Sequence, residues 1–307
     1  MRVFEKAYAK INLFLDVTAK RCDGFHDIKS IMQTVSLSDD LVITAERAEK
    51  TEIELSLSIG EELKEFANDS AALSSGSDNI ICKAARLYLE RAGIEAAVGV
   101  QLVKRIPISA GLAGGSADAA GALRALNKIF GAFTKEELVG LSAELGSDVP
   151  FCLVGGTALC TGRGEQIVNL SYTPDLNIVI SIGKGRIAAG TAYAALDAVF
   201  SDFDGTVRSE GERILPSNGE EADLARNALQ SAVECVFNIF EHSGMEELSE
   251  VEKIKQRLRE LGASATLMSG SGPSVFGIFD SQKQAEYAVC ELNEAGIFAA
   301  LAKTVRY

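Results

Sequence analysis

From Ala7 to Asp16 the chain alternates, with Ala9, Ile11, Leu13 and Leu15 on one face and Lys10, Asn12 and Asp16 on the other. A period of two marks a strand, and this one is expected to turn its polar set away from the core. Asp23-Gly24 predicts a turn, and the run FHDIKSIMQTVSLSDDLVITAE predicts further strand pairing. Residues 56–78 are mostly polar and are expected to form a solvated connection. The period then changes. Ile80, Ile81, Ala84, Ala85, Leu87 and Tyr88 recur at helical spacing, with Asp78 or Asn79 as the cap. Val98, Val100 and Leu102 alternate again, as a strand running into a segment rich in glycine.

Beyond that segment Ala119, Ala122, Leu123, Leu126, Ile129 and Phe130 predict a helix from Ala119 onward, stopped by Gly131. Thr134 with Glu137 is a capping-box pattern for another helix, ending near Gly146. FCLVGGTALCTGRGE is expected to form two short strands around Gly155-Gly156. Near the C-terminus, VEKIKQRLREL predicts a charged amphipathic helix and ATLMSGSGPSVFGIF a hairpin around Gly270-Ser271-Gly272. SQKQAEYAVCELNEAG predicts a helix with Ser281 near its cap, and IFAALAKTV a closing strand. Helix, hairpin, helix and strand in that order predict a compact α+β layer. Residues 201–224 are hydrophilic and are expected to be a surface excursion, and a domain boundary is expected near residue 165.

Composition narrows the class of function. The 307 residues are 47% hydrophobic and 24% charged, enough for one large domain or two ordinary ones with real cores. A formal net charge of −13 disfavours broad capture of nucleic acid or of an anionic membrane. A phosphorylated small molecule remains possible through local donors. The six cysteines include no CxxC pair and there are two histidines, so no Cys/His zinc site is expected. The first residues lack the apolar stretch of a signal peptide and no apolar run reaches membrane-spanning length. A reduced, cytoplasmic setting is therefore expected.

The stretch PISAGLAGGSADAAGALRAL, Pro107 to Leu126, is the first candidate for chemistry. Strand, glycine loop and helix together can hold phosphate, because glycine admits close backbone approach and a helix N-terminus is partially positive. It is neither a Walker loop nor GxGxxG. A small-residue helix start packed on a sheet would read the same. Asp148, before Val149-Pro150, suits a helix N-cap. Lys10 and Lys104 each have an ordinary reading as solvated strand lysines, His26 as a residue beside a turn, and Ser269 to Ser274 as a hairpin turn. Asp202-Phe203-Asp204-Gly205-Thr206 matches the haloacid-dehalogenase nucleophile pattern. That chemistry needs the first Asp at the end of a buried strand, whereas TAYAALDAVF predicts a helix, so the match is treated as accidental.

Taken together, AYAKINLFLDV, IPISAGLAGGSADAA, LGSDVPFCLVGGTALCTGRGE and SGSGPSVFGIF resemble the GHMP kinase superfamily. Lys10-Ile11-Asn12, Asp23-Gly24-Phe25-His26 and Met32-Gln33-Thr34 narrow the resemblance to members acting on a cytidyl diphosphate substrate. It covers most of residues 6–165 and reappears across 250–280. It implies an α+β two-domain fold, with a ribosomal-S5-like N-terminal domain (1–165) and a ferredoxin-like C-terminal domain (166–307) closing a cleft.

The resemblance also implies roles. ATP phosphates would lie along Pro107, Gly111, Leu112, Ala113, Gly114, Gly115 and Ser116, with Lys104 as a further nucleotide contact. Asp148 would receive the substrate hydroxyl proton, and Lys10 would hold Asp148 ionised and offset charge on the moving phosphoryl group. Asn12 would fix the substrate, Phe25 and Tyr193 would stack on cytosine, His26 would bond its edge, and Thr191 would supply a hydroxyl. ATP is the implied co-substrate, with Mg2+ accompanying it and no dedicated metal cage. No nucleic acid or membrane partner is implied, and the expected assembly is a monomer or weak homodimer. Three features depart from the pattern: Ala113 replaces a common Gly, Ala117 a common Ser, and Ala188-Ala189 a common Ser-Thr. A homoserine- or mevalonate-type kinase and a nucleotide-binding protein without transferase activity are the alternatives. Phe25-His26 speaks against the first, and Lys10 with Asp148 against the second.

Overall fold

A computed structural model describes residues 1–64, 66, 76–183, 185–199 and 236–306. The expected excursion at 201–224, the Asp202–Thr206 motif and residues 67–75 of the expected connection lie outside the described residues. The chain forms two compact units, each assembled from separated segments.

One unit comprises Met1–Ala9, Leu37–Ile108 and Ala113–Val154. Two long strands, β1 (Arg2–Lys20) and β2 (His26–Arg47), each contribute one end to it. β2 pairs antiparallel with β4 (Ala96–Lys104), from Asp40 opposite Val103 to Arg47 opposite Ala96. β3 (Glu52–Ile59) pairs parallel with β4, so the expected connection begins as a strand. The reason is legible in hindsight: Ile53, Leu55, Leu57 and Ile59 alternate with polar residues. After a single turn, α1 (Glu61–Lys64), helix α2 (Ile80–Ala92) starts at Asn79, whose side chain accepts from Ile81 N. It stops at Gly93, in the left-handed conformation.

Helix α3 runs Gly114–Phe130, five residues longer at its start than the apolar spacing predicts. Gly114, Gly115 and Ser116 are thus its first turn rather than loop. The capping box of Thr134 and Glu137 is present and opens α4 (Lys135–Ser142), which ends short of Gly146. Phe151–Val154, expected as strand, belongs to helix α5 (Val149–Val154). Pro150 suits its first turn and the Asp148 carbonyl accepts from Cys152 N at 3.0 Å, so the local capping chemistry outweighs the apolar run. The core of this unit joins Leu41, Ile43, Val98 and Val100 of the strands to Ile81, Tyr88, Leu123 and Leu126 of the helices.

The other unit comprises Lys10–Ser36, Ser109–Leu112 and Gly155–Tyr307, of which Tyr307 and the segments named above are not described. Here β2 pairs antiparallel with β5 (Thr157–Thr161), which forms a hairpin with β6 (Gln166–Asn169). The two-residue β8 (Phe237–Asn238) lies parallel to β1 at Phe14 and Leu15. A second sheet has the order β11-β7-β10-β9, with β7 Asn177–Ile182, β9 Ala265–Met268, β10 Val275–Phe279 and β11 Phe298–Lys303, antiparallel throughout. Helix α6 (Ala189–Val199) follows β7 in the chain, and α7 (Leu248–Glu260) and α8 (Gln282–Glu294) pack on the sheet. The predicted hairpin, helices and closing strand are all present, and the Ser281 side chain accepts from Gln284 N. In α7, Val251, Ile254, Lys255 and Leu258 are buried at helical spacing.

Candidate active site

The polar face of β1 is not solvated. Lys10 is 4% exposed and Asn12 1% exposed, so the strand is buried on both faces from Ala9 to Leu15. Burial of polar groups demands partners. The Lys10 ammonium donates to Asn12 Oδ1 at 2.7 Å and to the Gly111 carbonyl at 3.1 Å. Asn12 Nδ2 donates onward to Ser30 Oγ at 2.8 Å, and Ser30 Oγ to the Phe14 carbonyl at 2.7 Å. A relay across β1 and β2 thereby orients Lys10 toward the glycine segment. The backbone joins in: Lys10 N donates to the Leu112 carbonyl at 3.1 Å.

The Ser269–Ser274 turn fixes the same segment. Ser269 Oγ donates to the Gly111 carbonyl at 3.0 Å and Ser274 N to the Ala110 carbonyl at 3.1 Å. Gly111 has φ +78°, and a Cβ there would lie 2.0 Å from the Ser269 carbonyl oxygen. No side chain fits. The turn is itself held from below, because Asn238 Nδ2 donates to the Met268 and Gly270 carbonyls, both at 2.8 Å. Glu241 accepts from Met268 N at 2.8 Å and from Lys255 Nζ at 2.5 Å. Asn238, Glu241 and Lys255 escape sequence reasoning, because nothing local ties them to the turn they support.

Ala113 takes φ +55° and ψ +31°, the left-handed conformation that its common glycine would adopt freely, and Ser109 has φ +54°. A left-handed residue just before a helix turns the first helical N–H groups outward, and those of Gly114, Gly115 and Ser116 have no acceptor within the helix. Pro107 is buried, Gly115 exposed and Ser116 half-buried. The segment thus has the geometry of an anion cradle.

Lys104 is not solvent-facing. It is 4% exposed at the end of β4, and its ammonium donates to Asp39 Oδ2 and, at 2.8 Å, to Asp118 Oδ2. Asp39 Oδ1 also accepts from the backbone N–H of Arg105 at 2.5 Å and of Ile106 at 2.8 Å. Asp39 and Asp118 escaped sequence reasoning: Asp39 stands in the polar run Ser38-Asp39-Asp40 and Asp118 inside the glycine segment, and neither position ties them to Lys104. Asp148 is half-buried at the head of α5, in the same unit as Lys104.

Phe25, His26, Tyr193 and Thr191 belong to the unit that holds Lys10. The rings of His26 and Tyr193 are stacked, with centroids 4.7 Å apart, and Tyr193 meets Phe240 edge-on at 4.9 Å. His26 Nε2 donates to Asp197 Oδ1 at 2.7 Å, and Lys20 pairs with Asp197 Oδ2 at 2.6 Å. Hydrogen bonds from Lys20 and His26 hold the Asp197 carboxyl below the usual range. Phe25 is 49% exposed, with the Arg163 guanidinium 4.8 Å from its ring centre. Thr191 is exposed in the first turn of α6. The structure stacks Tyr193 on His26 itself, where the expectation was a ring stacking on cytosine, and adds Asp197 and Arg163. Met32-Gln33-Thr34 is buried, with Thr157 Oγ1 donating to Gln33 Oε1 at 2.6 Å, a structural staple between β2 and β5.

Among the described residues no group of three or more His, Cys, Asp and Glu side chains could hold a metal ion, and no helix is long and apolar enough to cross a membrane.

Comparisons with known proteins bear on this geometry. Residues 79–156 match the GHMP kinases N terminal domain family and residues 217–297 the GHMP kinases C terminal family. A Caldicellulosiruptor saccharolyticus protein named 4-diphosphocytidyl-2-C-methyl-D-erythritol kinase is 40% identical over 281 residues, covering 91% of this chain and 89% of its own. A Bacillus subtilis protein of the same name is 36% identical over 297 residues, covering 94% and 92%. A crystal structure of a 4-(cytidine 5'-diphospho)-2C-methyl-D-erythritol kinase superposes with TM-score 0.74 at 29% identity, over 99% of this chain and 100% of that one. A homoserine kinase from Cytophaga hutchinsonii, at 19% identity and TM-score 0.68 over 98% and 94%, shares the fold.

Proposed function

Because the chain belongs to the GHMP kinases, in the family of 4-diphosphocytidyl-2-C-methyl-D-erythritol kinases, we propose that it transfers the γ-phosphoryl group of ATP to the 2-hydroxyl of 4-diphosphocytidyl-2-C-methyl-D-erythritol, a step in non-mevalonate isoprenoid precursor synthesis. The observation that carries this reading is Lys10, buried and donating at once to Asn12 and to the Gly111 carbonyl of the glycine segment. A buried ammonium held on the carbonyl of Gly111 is a charge that can offset what develops as a phosphoryl group moves.

In this reading the N–H groups of Gly114, Gly115 and Ser116 receive phosphate oxygens, and the magnesium that ATP brings is part of the co-substrate. Asp148 accepts the proton of the attacking hydroxyl and orients it. His26, oriented by its Nε2–H bond to Asp197, is the group assigned to the polar edge of cytosine. Phe25, backed by Arg163, offers an exposed stacking face. A division of labour between 1–165 and 166–307 and a cytoplasmic setting belong to the same reading.

The test is ADP release with the cytidyl substrate against homoserine and mevalonate. Turnover with the cytidyl substrate is expected, together with a loss of at least about 100-fold in Asp148→Asn. Turnover with a control alcohol alone would overturn the assignment, and full turnover by the variant would remove Asp148 from the mechanism.

A further inference from the structure

The Lys104, Asp39 and Asp118 cluster has a charge imbalance. One ammonium faces two carboxylates, all three side chains are almost wholly buried, and both carboxylates accept from the same nitrogen. The two acids are not equivalent. Asp39 has both oxygens filled, one by Lys104 and the other by two backbone N–H groups, which is the environment of an ionised carboxylate. Asp118 has one oxygen on Lys104, while its Oδ1 is buried with no hydrogen-bond partner. A buried anionic oxygen without a donor is costly, whereas a protonated one is much less so. A proton entering the cluster therefore goes to Asp118. Burial, the largest cause, and the neighbouring Asp39 push its carboxyl up, against the pull of Lys104, to about 8. Lys104 loses affinity for its proton through burial but regains more from the two carboxylates, and stays an ammonium.

The cluster lies directly beneath the first turn of α3. A Cβ at Gly114 would lie 3.2 Å from Lys104 Nζ, so the ammonium is in contact range of the backbone that would meet phosphate. Asp118 is itself in the second turn of that helix. With Asp118 protonated the cluster is neutral, one ammonium against one carboxylate. With it ionised the cluster carries one negative charge below the cradle. Arg105, next along the chain, pairs with Asp40 at 2.5 Å and with Glu62 at 2.7 Å, a group that keeps one net negative charge and further disfavours a second anion in the cluster.

We propose that Asp118 is a positioning residue that couples the nucleotide phosphates to a proton: ATP binds the form in which Asp118 is protonated, and binding near neutral pH draws a proton from solvent onto its carboxylate. The inference rests on the reading that the glycine segment takes ATP phosphates. A negative charge brought to the helix start raises the cost of ionising Asp118, and linkage makes the effect reciprocal.

Calorimetric titration of the whole protein with MgATP, in buffers of different ionisation enthalpy, reads the proton directly. At pH 8 we expect uptake of roughly 0.3–0.5 proton per ATP, falling toward zero at pH 6, with none in Asp118→Asn. The Michaelis constant for ATP should rise about tenfold from pH 7 to pH 9 in the wild type and stay level in the variant, without a parallel change in kcat. MgATP binding with no proton uptake at pH 8, or with equal uptake in the variant, would overturn the proposal. Should the variant fail to fold, carbon NMR of the Asp118 carboxyl in the wild type decides: its midpoint rises when MgATP is added, and an unmoved midpoint refutes the coupling. Proton uptake without ADP release from the cytidyl substrate would sink the kinase reading and spare this one. ADP release without uptake would do the reverse.

Discussion

Ala113 is an L-residue standing in the left-handed backbone conformation that glycine adopts freely. It holds φ +55°, which costs an L-residue about 1–2 kcal/mol. Glycine would remove that strain and give back part of it as unfolded-state entropy. Ala113→Gly should therefore stabilise the protein by about 1 kcal/mol, measured as a shift in denaturant midpoint at unchanged slope. A destabilised variant would mean that the alanine methyl contributes packing that outweighs the strain. The residue scale is also where sequence reading had least purchase. Lys10 was legible as a candidate, but its alternation with Ala9 and Ile11 suggested a solvated face. Only the relay through Asn12 and Ser30 explains how an ammonium can be 4% exposed there. Asp118, Asp39 and Asp197 act through partners 14, 65 and 171 positions distant along the chain. A one-dimensional pattern holds no trace of such pairings.

At the scale of elements the period of hydrophobic positions was a good guide. It located α2, α6, α7, α8 and β4, which bury one face more than the other, and β9, β10 and β11 as short apolar runs between turn residues. It misplaced the start of α3, since Gly114, Gly115 and Ser116 have no apolar side chains to report a period, although their backbone is helical. It misread α5 because six residues are too few for a helical period to separate from a buried strand. The glycine segment and the Ser269–Ser274 turn form one element in effect, joined at Gly111. Gly111→Ala would drive a methyl group to 2.0 Å from the Ser269 carbonyl and force a side chain into φ +78°. We expect a loss of roughly 3 kcal/mol or more in stability, with a corresponding fall in melting temperature. A variant that melts with the wild type would show that the close approach is not present in solution.

At the scale of the whole molecule, the acidic balance of −13 and the local character of the anion cradle belong together. A chain repelling anions in general binds one through fixed N–H groups and buried, compensated cations, and in the proposed reading the start of α3 and Lys104 supply these. The fold was legible because it rests on patterns repeated over many residues, and the glycine segment stood out by composition alone. The supports of the site were not, because they are single side chains brought in by tertiary structure. The central claim concerns which oxygen receives the phosphoryl group, and phosphorus NMR of the product reads it directly. Carbon 2 of the substrate carries a methyl group and no hydrogen. The account predicts one new phosphomonoester signal without proton splitting, an intact diphosphate pair and one ADP per product. A monoester split by neighbouring protons, or ADP formed with no new phosphoester, would contradict it.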